Sequence, residues 1–373
     1  MFIHHLQLKN FRNYSELQLP FSNQIHIFQG NNAQGKTNIL EALYLLALTK
    51  SHRTSKEKEL VQWGQSFSVI KGNMESRRGR QNLEIQISPI GKKAKVNQLE
   101  QKKLSDYIGV FNAIMFAPED LTLVKGSPQF RRKFLDIEIG QVSPSYLYHL
   151  TQYQKVVKQR NNLLKDFTVQ NKNKLDLLEI WDAQFVQYGA KVIYKRLLFL
   201  SKLEKWAKEI HHGITNGKEN LSIDYKNTVF SDRLITKESE IINQFEEKLK
   251  NIKKLELSRG MTLIGPHRDD LDFFINGNQV QSYGSQGQQR TTALSVKLAE
   301  IELMNQEVGE YPILLLDDVL SELDPIRQTQ LIQTIEDKVQ TMITTTSTDG
   351  IDEKTLKRST IFTVRNGMVK SSN

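Results

Sequence analysis

The sequence contains no cysteine, which excludes disulfide cross-links, thiolate zinc sites and cysteine nucleophiles. It also has no apolar run approaching the ~18 residues of a membrane span. The longest, such as YLLAL at 44–48, are of core length. The opening, MFIHHLQLKNF, lacks the basic-then-apolar order of a secretion signal. No internal repeat or low-complexity tract is present. These absences predict a cytoplasmic protein with no membrane partner.

What remains is an ordinary globular composition with a basic tilt. Of 373 residues, 38% are hydrophobic and 25% charged, with 51 Lys and Arg against 42 Asp and Glu, a net charge of +9. The length suits two or three domains. The charge balance fits nucleic acid or another anionic surface as partner. Basic residues cluster at Arg77-Arg78-Gly79-Arg80, Lys92-Lys93-Ala94-Lys95, Lys102-Lys103 and Arg131-Arg132-Lys133.

The chemistry is densest between Gln24 and Tyr44, QIHIFQGNNAQGKTNILEALY. Ile25, Ile27 and Phe28 give a strand pattern. Gly30-Asn31-Asn32-Ala33-Gln34-Gly35-Lys36-Thr37 follows, and then Ile39, Leu40, Leu43 and Leu46 recur at helical spacing. Strand, glycine loop, helix is the context a phosphate-binding loop requires. Gly30 and Gly35 permit the sharp turns that converge backbone amides on phosphate oxygens. The helix adds its positive end, Lys36 neutralises the β/γ-phosphates, and Thr37 completes a Mg²⁺ shell. Chance supplies such a match in roughly one chain in a hundred, so a plain glycine turn before a core helix is the weaker reading. A bound nucleoside triphosphate is expected.

Around this motif the chain alternates in character. Strand patterns occupy 2–8, 15–21, 67–72 and 82–88, and a polar break spans Thr49–Lys58. After Pro118 the sequence reads mostly as helix to about residue 258. Its seam of apolar residues, Leu178, Trp181, Phe185, Tyr188, Val192, Phe199, Leu203, Trp206 and Ile210, is interrupted near Lys195. Strand signals return after Gly260, with a hairpin turn at Asn276-Gly277. SQGQQR (285–290) then opens a long helix with Leu294, Leu298, Ile301 and Met304 on its apolar side. The expected partition is 1–120, 121–258 and 259–373, with the middle segment an inserted helical lobe.

A P-loop enzyme needs a carboxylate at the end of a neighbouring strand. Ile313–Leu316 running into Asp317-Asp318 supplies it: Asp317 for the metal, Asp318 to polarise an attacking water. Ser321-Glu322-Leu323-Asp324 lies directly after. Asp106-Tyr107-Ile108-Gly109 and Asn173-Lys174-Leu175-Asp176 match the GTPase patterns DxxG and NKxD, but neither follows an apolar strand, so both read as chance.

The opening LQLKNFRNY, the P-loop, Pro118-Glu119-Asp120-Leu121 through to Arg131-Arg132-Lys133-Phe134-Leu135-Asp136, SQGQQR and LLLDDVLSELD occur in a fixed order along the whole chain. In that order the sequence resembles the RecF family of bacterial recombination mediators, relatives of SMC and ABC ATPase heads. The resemblance implies an α/β ATPase head of mixed sheets with an inserted α-helical lobe, binding ATP and Mg²⁺. It implies Lys36, Asp317 and Asp318 as catalytic residues, with Thr37 and Asp317 on the metal. Gly30 to Thr37 would line the nucleotide, joined by Arg12, Asn13 and Arg53. Ser285 and Gly287 would meet the γ-phosphate held by a second subunit, making ATP the bridge of a homodimer.

The resemblance further implies binding to single-stranded DNA and gapped or junction duplexes, and loading of RecA with RecO and RecR. Arg131, Arg132 and Lys133 are candidate DNA contacts. The family places these activities in replication, repair and the SOS response. An ABC-type subunit energising a transporter is the competing class; the helical insertion and basic charge favour the first. Two departures stand out. Asp318 occupies the place of the glutamate usual in ABC heads, which predicts slow turnover. Thr345, Thr346 and Ser347 occupy the place of the γ-phosphate-sensing histidine.

Overall fold

The computed structural model describes residues 1–165, 172–230, 237–323, 325–348 and 351–371; Asp324, named above, lies outside them. In chain order the strands are β1 (Phe2–Phe11), β2 (Tyr14–Pro20), β3 (Ile25–Gln29), β4 (Ser68–Ser76), β5 (Gly79–Ser88), β6 (Gly91–Val96), β7 (Leu99–Glu100) and β8 (Ala113–Phe116). After them come β9 (Leu221–Lys226), β10 (Asp270–Ile275), β11 (Asn278–Gln279), β12 (Ile313–Asp317), β13 (Thr341–Thr345), β14 (Ser359–Arg365) and β15 (Met368–Ser371). By its internal contacts the chain divides into two units. One comprises Met1–Leu121, Gly213–Gly217 and Ala293–Asn373; the other comprises Thr122–His212 and Lys218–Thr292. The fold is α/β with mixed sheets.

The first unit holds two six-stranded sheets. One is antiparallel, in the order β2-β1-β4-β5-β6-β7. Its strands alternate: along β5, Leu83, Ile85 and Ile87 are buried between more exposed neighbours, the period-2 pattern of a sheet with one wet face. The other runs β15-β14-β3-β13-β12-β8, parallel except for β15 at its edge. Here β3, β8, β12 and β13 are buried along nearly their full length, as continuous apolar runs covered on both faces must be. The helix Lys36–Leu48 is buried at every position from Ile39 to Leu48, so it belongs to the core rather than to a surface.

The second unit is built on the helices Pro128–Val142, Pro144–Lys165, Lys172–Ile214 and Glu238–Arg259, with the small sheet β11-β10-β9. Asn276 and Gly277 both take positive φ, 49° and 82°, the geometry a two-residue hairpin turn demands. The 43-residue helix Lys172–Ile214 runs without a break through Lys195. The seam is not interrupted there; its buried position is taken by Arg196, 1% exposed, which donates to Asp136, Tyr146 and the Pro266 carbonyl. Of the two GTPase-like matches, the first spans the end of the helix Leu104–Tyr107 and the turn after it, and the second lies in the helix Lys172–Ile214.

The expectation that Arg131 offers a DNA contact is overturned. Its guanidinium is 1% exposed and forms a two-point bridge to Asp270 at 2.6 and 2.9 Å, with the Gly126 carbonyl at 2.7 Å. A cation so enclosed holds its own unit together and is closed off from a solvent-side phosphate. Lys133, two residues on, is exposed.

Candidate functional site

β3 sits between β13 and β14, so the loop leaving it is flanked by two parallel strand ends. Gly30 continues this geometry, its N–H donating to the Thr345 carbonyl at 3.2 Å. A Cβ at Gly30 would lie 2.3 Å from the Val364 carbonyl oxygen, so only glycine fits there. Asn31, Asn32 and Ala33 form the exposed crest, with Ala33 at φ 63°. The loop closes at Gly35, φ 112°, where a Cβ would meet Asn13 Nδ2 at 2.5 Å and the Tyr14 hydroxyl at 2.8 Å. Gly35 therefore serves both a left-handed turn and a close approach.

Lys36 opens the helix and turns its ammonium back over the loop, donating to the Gly30 and Asn31 carbonyls at 2.5 and 2.9 Å. Burial pushes its pKa down, while the charges of Asp318 and Asp317 oppose that fall. The structure thus brings Lys36 into the field of both carboxylates from the far end of the sequence. Thr37 comes closer still, its hydroxyl donating to Asp317 Oδ1 at 2.8 Å. Thr344, wholly buried on β13, donates to the same oxygen at 2.8 Å and accepts from the Asp318 N–H at 2.9 Å. Asp318 itself takes φ 54°, and its Oδ1 is buried without a hydrogen-bond partner. A buried acceptor with no donor costs stability, and it is the kind of group that a water or a phosphate-bound ligand satisfies.

Support for the loop comes from the turn between β1 and β2. Arg12, at φ 52°, clamps Glu41 with two hydrogen bonds of 2.8 and 2.7 Å and also donates to the Glu59 carbonyl at 2.8 Å. Glu41 is fully buried inside the P-loop helix and takes a further short bond, 2.5 Å, from Ser51. Arg53 lies 3.6 Å from the same carboxylate and donates to Asn38 at 2.9 Å. Asn13 bridges the Gln34 carbonyl, at 3.3 Å, and Asn38, at 2.8 Å, while the Tyr14 hydroxyl donates to the Gly35 carbonyl at 3.1 Å. From the other side, Asn366 and Gly367 in the β14–β15 turn donate their N–H groups to Gln34.

Glu41, Tyr14, Asn38, Thr344 and the 366–367 turn were missed by motif reasoning. Only Glu41 carried a signal: a lone acid inside the apolar helix ILEALYLLAL.

In the other unit, Ser285 caps the helix Gln286–Val308. Its hydroxyl accepts the Gln288 N–H at 3.2 Å, and the Gln288 side chain accepts the Ser285 N–H at 2.9 Å. This reciprocal pair is a capping box, with glutamine in the place of glutamate. Gly287 follows in the first turn, its carbonyl taking the Thr291 hydroxyl at 2.9 Å. The Ser285 side chain is thus pre-oriented at a positive helix end.

The parallel sheet, the glycine loop with its lysine, and the strand-end aspartates define a P-loop ATPase head of the ABC/SMC type. The chain matches the RecF/RecN/SMC N-terminal domain over residues 2–370. It is 56% identical over 369 residues to the DNA replication and repair protein RecF of Bacillus cereus strain B4264, spanning 99% of this chain and 98% of that protein. The same figures hold for its namesake in Bacillus thuringiensis strain Al Hakam. A solved structure of the recombination mediator protein RecF with ATP, of the RecFOR pathway, superposes with a TM-score of 0.91 at 35% identity, covering 100% of this chain and 97% of that one. An SMC head bound to the winged-helix domain of ScpA shares the fold, with a TM-score of 0.55 at 14% identity over 100% of this chain and 97% of that one. The chain belongs to the RecF family of DNA replication and repair proteins. No helix among the described residues is long and apolar enough to cross a membrane.

Proposed function

We propose that this chain is an ATP-switched DNA-binding protein of recombinational repair. In this reading it is a cytoplasmic mediator that closes into a head-to-head dimer on ATP and opens on hydrolysis. It engages single-stranded and gapped or junction DNA, and with RecO and RecR it promotes RecA loading in replication, repair and the SOS response. The observation that carries the reading is the meeting of Thr37 and Asp317 at 2.8 Å beside the buried Lys36 ammonium. The ATP complexes of RecF, at 35% identity over the whole chain, support ATP as the nucleotide.

Mg²⁺ fits the donor set. A hydroxyl and a carboxylate are hard oxygen ligands, and a metal that shares a site with phosphates and water needs few protein ligands. Among the described residues no cluster of three or more acids, histidines or cysteines offers a richer cage. Thr37 and Asp317 would hold the ion, which when bound neutralises phosphate charge. Gly30 to Lys36 bind and orient the phosphates, Asn13 and Arg12 hold the loop, and the unpartnered Asp318 carboxylate orients the attacking water. Ser285 and Gly287 lend a helix tip to the nucleotide of the second copy.

Sedimentation velocity with and without ATP, Mg²⁺ and gapped DNA tests the reading as a whole. A doubled mass with ATP and a further shift with DNA are expected; a monomer under every condition overturns the switch.

A further inference from the structure

Two stretches of the second unit are free of acid. The helix Pro144–Lys165 contains no Asp or Glu, and the helix Lys172–Ile214 contains none between Asp182 and Glu204. The two pack side by side in opposite directions: Tyr153 stacks on Phe185, His149 lies against Tyr188, and Arg196 donates to the Tyr146 hydroxyl. Asp182, where the second stretch begins, is taken by Arg160 at 2.7 Å. Lys155 and Lys158 are exposed, and Lys191 and Lys195 are partly so. Among the described residues none of these four lysines is paired with a carboxylate. The carboxylate that acts on His149 is Glu238, and Lys191 and Lys195 oppose it.

Two tyrosines stand in the middle of this acid-free surface. Tyr148 is 51% exposed. Its hydroxyl and that of Tyr188 hydrogen-bond each other across the helix pair, and its ring is set edge-on to His149, with centroids 5.3 Å apart at 70°. Held from two sides, the ring loses little freedom when a partner lies on it. Helical spacing places the cations. Lys155 lies two turns beyond Tyr148, and Lys195 two turns beyond Tyr188, each about 10 Å along its helix and on the same face as the tyrosine. Because the helices run in opposite directions, the lysines fall on either side of the tyrosine pair, in a row about 20 Å long. Solvation of an outer helix face does not by itself select one sign of charge. The helix Glu238–Arg259 mixes both, with Glu246 and Glu247 beside Lys248 and Lys250.

We propose that this face binds a single strand of DNA, with a base stacked on Tyr148 and the backbone phosphates held by Lys155, Lys158, Lys191 and Lys195. The proposal rests on the DNA-binding reading above and assigns it a place. An exposed aromatic flanked by cations suits unpaired bases, because every base has a π-face and stacking on it needs no particular sequence. A duplex hides those faces and would meet the lysines alone.

The test is affinity for a labelled oligothymidylate across roughly 50–200 mM salt, read by fluorescence anisotropy. The variants are Tyr148→Ala, Lys155→Gln/Lys158→Gln and Lys191→Gln/Lys195→Gln. Lys102→Gln/Lys103→Gln, which loses the same charge in the other unit, is the control, and ATP affinity and thermal melting check the fold. Each lysine pair of the site is expected to flatten the log–log salt slope by about 1.4, at roughly 0.7 per phosphate of a single strand. Tyr148→Ala is expected to weaken single-strand binding by about fivefold or more, with the slope and the affinity for blunt duplex unchanged. If a double variant melts early, the exposed Lys155→Gln carries the test alone, with a slope change of about 0.7. An unchanged slope, or an equal change in the control, overturns the lysine track. A tyrosine variant that binds as tightly as wild type overturns the stacking. Either result leaves the DNA-binding reading standing, whereas a wild type that binds no DNA overturns both.

Discussion

Arg12 and Glu41 form a two-point ion pair, Nε to Oε2 at 2.8 Å and Nη2 to Oε1 at 2.7 Å, that fastens the β1–β2 turn to the first helix behind the phosphate loop. Glu41 is wholly buried and Arg12 largely so, so removing Arg12 leaves Glu41 with only the Ser51 hydroxyl and the more distant, exposed Arg53. Arg12→Ala is expected to cost about 3 kcal/mol, read by urea denaturation, and to weaken ATP binding through the displaced turn. Arg12→Lys should restore little, because an ammonium cannot supply both parallel bonds. Full restoration by lysine would show that charge alone matters.

Gly35 and Gly64 both occupy left-handed backbone, φ 112° and 81°, but only Gly35 is hemmed in. Gly64→Ala is expected to cost about 1 kcal/mol of strain and leave nucleotide affinity intact. Gly35→Ala adds a collision with Asn13 and Tyr14 and is expected to lower ATP affinity more than about tenfold, a loss of at least ~1.4 kcal/mol. Equal effects in an equilibrium binding assay would refute the crowding argument.

Asp317→Asn keeps the shape that Thr37 and Thr344 bond but removes the charge. Hydrolysis is expected to fall by roughly 100-fold or more and to lose its dependence on Mg²⁺ concentration, with ATP still bound. Asp318→Asn should slow turnover while leaving that dependence in place. Parallel behaviour of the two variants would erase the division of roles between adjacent carboxylates.

Ser285→Arg is expected to abolish ATP-driven dimerisation without loss of ATP binding, because a long cation replaces a small hydroxyl at the helix tip. Ser285→Ala removes one cap bond to Gln288, costing about 1 kcal/mol. Dimers that persist in the arginine variant, seen by sedimentation, would remove the tip from the interface.

His26 lies against Phe21, with centroids 4.9 Å apart, and stacks on Phe362, with neither ring nitrogen bonded. Burial lowers its pKa to about 4, below the unfolded value near 6.5. The unfolded chain then binds the proton more readily, so stability is lost as pH falls below about 6.5 and the loss levels off near 4. The whole step is worth roughly 3 kcal/mol. His26→Phe should flatten this part of the stability–pH curve; an unchanged curve would place the titration elsewhere.

Local patterns were legible because their meaning lies within a few residues. Strand, glycine loop and helix follow one another in 24–48, and Asn276-Gly277 needs only its own φ angles. Long-range pairings were not legible. Arg131 looks like part of a surface cluster until Asp270, 139 residues on, closes over it. Arg196 reads as a break in an apolar seam, yet the helix runs on and buries the cation against Asp136 and the Pro266 carbonyl. Sign of charge does not reveal burial, and the acid that decides the matter lies far away in the chain. The third reason is spatial: Thr344 bonds Asp317 across neighbouring strands, a relation that no spacing along the sequence encodes.

The placement of β3 between β13 and β14 has a consequence for biosynthesis. The strand leading into the phosphate loop, Ile25–Gln29, is translated long before both its hydrogen-bonded neighbours, Thr341–Thr345 and Ser359–Arg365. A nascent chain halted before Thr341 would carry the lysine loop without the walls that shape it. Nucleotide capture is therefore expected only after both neighbouring strands have been made, and a product interrupted before them is expected to bind nucleotide poorly.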